Sequence, residues 1–335
     1  IANQQINSTL DMTILPNFQQ VEFDPLILNT TPYEERYEEN RSFFTEGTEL
    51  FQKGDLFYSR RIGRKPVFEI EENEDIINES TYTELYNATK ISSRTSDGWG
   101  IGLFNALTKK TYATIQHTET KQMRETFMPM TNYNMIVIDK SFNKNSFLTL
   151  VNTNVHRAGE FRKANVLGLL GSVTNTQKTF SYDFNLKGSF IKKRTEDAVT
   201  QYNNLLQPIY TSQYLNKLDS ENGFSSSINI QRINKNFTYG IAHYIESEKY
   251  DINDMGYLAE SNEINNNIHM QYKVFSSEER IARQLKIKKG WIIFNMEHKM
   301  LYKPLKYSKS IIKIDAGALN LNHLYMDLGI RYFLK

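Results

Sequence analysis

Six carboxylates crowd one short stretch of this chain: Glu34, Glu35, Glu38, Glu39, Glu46 and Glu49. Two of them, facing each other across a glycosidic bond, could serve as the acid and the nucleophile or base of a glycoside hydrolase. The same stretch and its sequel hold Arg36, Arg41, Arg60, Arg61 and Arg64. A general acid needs a raised pKa, whereas a neighbouring guanidinium keeps a carboxylate ionised. The pattern therefore predicts a loop folded on internal Arg–Glu pairs, with ligand binding and then catalysis as the lesser readings. No catalytic residue is assigned.

Other chemistry is thinly represented. His117, His156, His243, His269, His298 and His323 show no HxH or HxxxH spacing, and each falls in a different expected strand or loop. No metal site is read from them. The absence of cysteine removes disulfides, thiolate ligands and thiol nucleophiles. There is no GxSxG, HExxH or Walker-type loop, so no cofactor is expected. Arg60, Arg61, Arg64 and Lys65 could meet lipid phosphates or a polysaccharide, but an internal contact is the favoured role. Gly98, Gly100 and Gly102 alternate along an expected strand, which suits close packing better than a phosphate cradle. Lys288 and Lys289 beside Trp291 read as a membrane-interface anchor. A net charge of +2 offers no field for nucleic acid, and none is expected as a partner.

The elements that would position these residues are strands. Mean hydropathy is −0.55, yet the chain holds 20 Tyr and 20 Phe. Disordered chains lack such aromatics, and no run is long enough for a membrane helix. Aromatic-rich, polar on average and locally alternating is the composition of a transmembrane barrel, with a soluble all-β protein rich in tyrosine as the alternative. Ser8–Leu15 alternates as a first strand. Asn17–Pro66 follows no period and is too long for a hairpin turn. Its centre, Phe43–Pro66, carries Phe43, Phe44, Phe57, Tyr58, Gly47 and Gly63 among the charges. It is expected to fold at the barrel mouth or in the lumen, and Glu69–Glu79 reads as a solvated loop.

From Glu84 a hairpin rhythm begins. Expected strands are Glu84–Thr95, Trp99–Gln116, Thr131–Phe142, Ser146–Arg157, Ala164–Thr176, Phe180–Phe190, Phe224–Ile233, Phe237–Tyr250, Ile264–Val274, Leu285–Met296, Lys309–Leu319 and Leu324–Leu334. Lys192–Asn222 reads as a long loop with a short helix. The fold class is all-β: a transmembrane antiparallel β-barrel of about 12–14 strands, each near the length that crosses a bilayer. It divides into a first barrel strand (1–16), a folded loop or plug (17–80) and the remaining barrel strands (81–335). Ile1 opens mid-pattern, so an export signal and any preceding domain are expected upstream.

Three runs also carry a family likeness: LPNFQQVEFDPLILN (Leu15–Asn29), YEENRSFFTEGTELF (Tyr37–Phe51) and DLFYSRRIGRKP (Asp55–Pro66). They resemble an uncharacterised bacterial outer-membrane family whose usual forms read NPDFGQVEADPAVLN, FPEKRPFFLEG and LFYSRRIGR. KISSRTSDGWGIGLFNALT (Lys90–Thr108) and YDINDMGYL (Tyr250–Leu258) match less closely. Gln19 stands where the family has Gly, and Phe23 where it has Ala. Members often carry a family-9-like carbohydrate-binding domain ahead of a long barrel, and some are labelled membrane-associated hydrolases. The carbohydrate-binding domain is not in this sequence. The resemblance marks Arg41, Phe43, Phe44, Glu46, Gly47, Phe57, Tyr58, Arg60, Arg61, Gly63 and Arg64 as the structural loop motif. It implies a bacterial outer-membrane location. The expected partners are outer-membrane lipids, other outer-membrane proteins or lipoproteins, and a glycan. The leading functional expectation is a non-enzymatic accessory or scaffold subunit of an outer-membrane complex. The alternatives are a channel or transporter for small solutes or glycans, and a membrane-associated hydrolase using Glu46 or the Glu34–Glu39 cluster.

Overall fold

A computed structural model describes residues 6–14, 34, 36–68, 70–143, 145–159, 161–194, 218–233, 236–274, 290–301, 307–318 and 332–333. The strands are β1 (Ile6–Ile14), β2 (Glu74–Glu79), β3 (Leu85–Thr95), β4 (Trp99–Thr108), β5 (Thr111–His117), β6 (Met123–Met128), β7 (Thr131–Asn143) and β8 (Ser146–Arg157). They continue as β9 (Lys163–Thr174), β10 (Phe180–Arg194), β11 (Leu218–Arg232), β12 (Phe237–Glu246), β13 (Glu263–Val274), β14 (Gly290–Leu301), β15 (Tyr307–Ala318) and β16 (Tyr332–Phe333). One helical turn, α1 (Ser42–Thr45), and two 3-10 turns, Lys53–Asp55 and Ser59–Arg61, interrupt them.

Thirteen strands form one antiparallel sheet in the order β1-β3-β4-β7-β8-β9-β10-β11-β12-β13-β14-β15-β16. Consecutive hairpins build it, as the repeated turn signals require. β1 and β16 are its two ends, and among the described residues no pairing joins them. The all-β antiparallel expectation is met; closure into a barrel is not among the described pairings.

Several sequence expectations need correction. Trp99–Gln116 is two strands, not one, because the chain leaves the main sheet at Lys109 and Lys110. The second of them, β5, joins β2 and β6 in a separate three-stranded sheet. Glu74–Glu79 is therefore a strand rather than a solvated loop: Ile76 pairs opposite Ile115, and Arg124 grips Glu74 through two bonds of 2.6 Å. At 192–222, Lys192–Arg194 extends β10 and Leu218–Asn222 opens β11; residues 195–217 lie outside the described residues. So do 17–33 of the expected plug and most of Leu324–Leu334.

The main sheet has two unlike faces. On one, rows of apolar side chains run across neighbouring strands: Ile101, Ile138, Leu150, Leu169 and Leu186 pair in succession from β4 to β10. From β1 to β13 most of the described apolar side chains of this outer face are exposed, with Leu10 at 65 % and Ile241 at 60 %. The other, inner face carries the N-terminal segment. Phe51, Leu56 and Ile62 of that segment are fully buried against Phe104, Met135, Val137, Val151, Val166 and Leu170. Each such side chain contributes about 1.5–3 kcal/mol on burial. The outer apolar field ends in a polar row in which Thr89, Asn105, Asn134, Asn154 and Asn165 pair in succession. Asn105 Nδ2 donates to Asn134 Oδ1 at 2.8 Å and to Asn132 Oδ1 at 2.6 Å.

The two ends of the strands also differ. At one, tight connections link β3 to β4 (96–98), β7 to β8 (144–145), β9 to β10 (175–179) and β11 to β12 (233–236). At the other lie the Arg41 and Arg61 parts of the N-terminal segment, whose 47–53 stretch runs back to the turn end, with the small sheet and the long β12–β13 connection (247–262).

Candidate functional site

The segment 36–68 has little regular structure, so its backbone and charges must be satisfied by side chains. Arg41 does most of this. Its guanidinium is 2 % exposed. It holds Glu39 through Nε at 2.8 Å and Nη2 at 2.6 Å, and donates to the Ile62 carbonyl at 2.8 Å and the Ser59 carbonyl at 2.9 Å. One residue thus ties Glu39 to the turn containing Arg60 and Arg61. Burial alone would raise the Glu39 carboxyl; Arg41 and a bond from the Ser59 hydroxyl overcome it and hold the group below its ordinary value. Arg41 also stacks 4.3 Å over Phe44, which packs edge-on against Phe43 at 5.0 Å. Phe57 joins them through Phe104 on the wall, at 5.1 Å. Gly63 has φ of +79°, and a Cβ there would meet Leu85 at 3.2 Å, so only glycine fits.

The wall is cut to receive this segment. A Cβ on Gly102 would lie 3.2 Å from Phe51, and one on Gly100 would lie 3.0 Å from Leu50. Three charged wall residues reach in, and the sequence did not single them out. Lys90 Nζ donates to the Phe43 carbonyl at 2.7 Å and to the Glu46 carbonyl, and pairs with Asp11 at 3.3 Å. Asp139, fully buried, takes Lys53 at 2.7 Å and Arg94 at 3.0 Å. Arg94 also holds Glu49 at 2.6 Å. The usable signal was that lysine, arginine and aspartate stood on the strand face opposite the exposed apolar one. Gly47 sits beside Lys90 with φ of +56°. The Glu46 side chain is exposed; its main-chain carbonyl makes the contact.

At the elaborated end the segment meets the β12–β13 connection. Tyr58 N donates to the Met255 carbonyl at 2.7 Å. Arg61, 3 % exposed, donates to the Gly256 carbonyl at 3.0 Å and to Asn253 Oδ1 at 3.1 Å, and pairs with Glu34 at 2.5 Å. Arg36 lies between the Tyr58 and Tyr257 rings, 5.7 and 5.6 Å from their centres. Arg60 donates to the Glu38 carbonyl at 2.9 Å and lies 3.9 Å from Glu39. The β8–β9 hairpin closes the rim: Arg157 binds Asp254 at 2.6 Å, and Arg162 binds Asp254 at 2.9 Å and Asp251 at 2.6 Å. These residues line an open cavity of about 430 Å³, with Glu34, Arg61, Arg64, Arg157, Arg162 and Asp254 among its lining. Arg64 is 44 % exposed and shares Glu34 at 3.5 Å.

The expected interface anchor is not in this site. Trp291 enters β14 opposite Lys273 and Gly317; Lys288 and Lys289 lie outside the described residues. Among the described residues no three His, Asp or Glu side chains converge to hold a metal, and no helix is long and apolar enough to cross a membrane, which says nothing of strands.

Fold and site together define a class: an all-β chain whose large antiparallel sheet holds its own N-terminal segment against one face through arginine, lysine and aromatic contacts. Within that class the chain belongs to the DUF5916 family, described as a domain of unknown function, whose sequence profile matches residues 5–334. No curated protein sequence matches it. Among solved structures, the crystal structure of Acinetobacter baumannii OccAB2 is similar over 82 % of this chain and 74 % of that one, at 9 % identity and a TM-score of 0.28. That likeness is too loose to argue from.

Proposed function

We propose that this chain is an outer-membrane β-barrel plugged by its own N-terminal segment, acting as a non-enzymatic accessory or scaffold subunit of an outer-membrane assembly that handles surface proteins or glycans. The observation that carries this reading is the exposed apolar outer face wrapped behind a filled inner one. In water so continuous an apolar surface would drive association; against lipid it is required. On β10 it runs from Tyr182 to Phe190, about 27 Å along the strand and so about 20 Å of height at the usual strand tilt, against an apolar band of about 25 Å in such barrels. The asparagine row then falls where the band meets head groups. A sheet in lipid needs its edges paired, so β1 is expected to close with the C-terminal strands.

The dry packing of Leu50, Phe51, Leu56 and Ile62 argues for a structural part rather than an open pore. The test is a gentle-detergent pull-down from outer membranes through a tag, with mass spectrometry of the companions. A fixed, stoichiometric set of barrels or lipoproteins is the expected result. A lone barrel overturns the scaffold reading. A second reading, a solute channel, draws on the polar inner side of β10–β13, where Asp183, Asn185, Lys187 and Asn229 are not covered by the segment's apolar core. Steady conductance in planar bilayers would favour it.

A further inference from the structure

The rim cavity is unevenly charged. Four guanidinium groups line it, those of Arg61, Arg64, Arg157 and Arg162, against three carboxylates, Glu34, Asp251 and Asp254. The carboxylates are already committed. Asp254 receives Arg157 and Arg162, and Asp251 receives Arg162. Glu34 receives Arg61 at 2.5 Å, so the 3.5 Å approach of Arg64 to the same Oε1 is a leftover share. Among the described residues, one guanidinium therefore stands partly open on a polar cavity with only a shared carboxylate. Its planar fork matches a carboxylate or a phosphate, and charge-assisted pairs of that kind are the strong ones. The surrounding groups are fixed: Asn253 is locked by bonds to the Leu258 backbone, and Arg61 by Gly256. A preformed cavity of this size falls within the range that holds a small molecule, about 300–1,000 Å³.

We infer that this cavity binds the oxyanion group, carboxylate or phosphate, of a small soluble molecule, and that Arg64 grips it. The ligand comes from solution rather than from lipid. The cavity opens on the side that carries the segment, and Arg157 lies beyond Asn154 on β8, past the polar row that ends the outer apolar field. The inference stands on the cavity and does not require the membrane reading.

The test is calorimetric titration of the full chain in detergent with glucuronate, glucose 6-phosphate and neutral glucose. Saturable binding of at least one acidic sugar, with none of glucose, is expected. The affinity should fall as salt is added. Arg64→Gln should weaken binding on the order of tenfold or more, the weight of a hydrogen bond to a charged group, with the unfolding temperature unchanged. Arg64→Lys, which keeps the charge and loses the fork, should fall between, and it serves if Arg64→Gln does not fold. No saturable binding of either acid in the millimolar range, or equal binding by the wild type and both variants, overturns the assignment.

Discussion

The inner wall of the sheet has two halves that share a backbone and differ in chemistry. From β4 to β9 it is dry: Gly102, Phe104, Met135, Val137, Val151, Val166 and Leu170 close on the N-terminal segment. From β10 to β13 it is polar and self-bonded. Asp183 accepts from Ser172 at 2.6 Å and from Asn229 at 3.2 Å, and Asn185 donates to Ser227 at 2.9 Å. The outer face does not change across the boundary: Ile136 on β7 and Ile228 on β11 are both exposed. What the segment touches is therefore what sets the inner chemistry, while the outer face is apolar and exposed on both halves. Glycine and alanine on the dry half make room for the N-terminal segment; on the polar half Gly223 instead makes room for the backbone of Lys249 and Tyr250.

If the segment is a folded part of the dry half, breaking its central arginine should free it without dissolving the sheet. Arg41→Ala leaves Glu39 buried without its partner and two carbonyls without donors. Removing one member of a buried pair costs about 3–5 kcal/mol. Limited proteolysis should then cut within 36–68 while circular dichroism keeps its strand signal. Loss of both signals together would mean that segment and sheet are one cooperative unit. Truncation on the two halves sharpens the contrast. Leu56→Ala, at a fully buried position, should cost about 2–5 kcal/mol. Gln271→Ala, on the polar half opposite Thr238, should stay within about 0.5 kcal/mol. Thermal unfolding of the two variants side by side reads the difference, and equal shifts would erase it.

The same boundary explains what could be read from sequence. Phe180–Phe190 and Ile264–Val274 alternate cleanly because one face is apolar and the other polar; both are strands, the first running on to Arg194 and the second starting at Glu263. Lys163–Thr174 on the dry half reads KANVLGLLGSVT, apolar on both faces. Alternation weakens there because both faces leave water. The segment's Arg–Glu pairing was legible from composition, but its partners were not. Lys90, Asp139, Arg157 and Asp254 come from strands and loops far away in the chain, and no local period points to them. One weaker clue existed. Of the stretches that share the family likeness, Leu15–Asn29 lies outside the described residues, and Tyr37–Phe51, Asp55–Pro66, Lys90–Thr108 and Tyr250–Leu258 touch one another: Lys90 on Phe43, Arg61 on Asn253. The small sheet of β2, β5 and β6 was missed because an acidic strand looks like a solvated loop until its arginine partner is placed.

Acid should act on the dry half first. The Glu39 carboxyl is held below its ordinary value, so the folded segment binds fewer protons there than the unfolded chain does. That contribution is complete above the ordinary glutamate pKa of about 4.3 and is lost as pH falls through the lowered value. Proteolysis of the segment should therefore be slow at neutral pH and rise below about pH 4, and Glu39→Gln should flatten the profile. A protease-corrected profile that stays level to strong acid would remove Glu39 from the segment's anchorage.

The smallest effect is expected at Glu46, and it separates the scaffold reading from the hydrolase one. Its place in the motif is explained by its backbone: the carbonyl accepts from Lys90, and Gly47 follows with positive φ. The carboxylate is exposed on the segment and is not needed for that contact. A general acid would need burial or a like charge to raise its pKa. Glu46→Gln should therefore leave the unfolding temperature and the co-purifying set unchanged, whereas Lys90→Met, which removes the donor to the same carbonyl, should loosen the segment. A hydrolytic activity in the wild type that vanishes in Glu46→Gln, with folding intact, would instead assign the residue to chemistry.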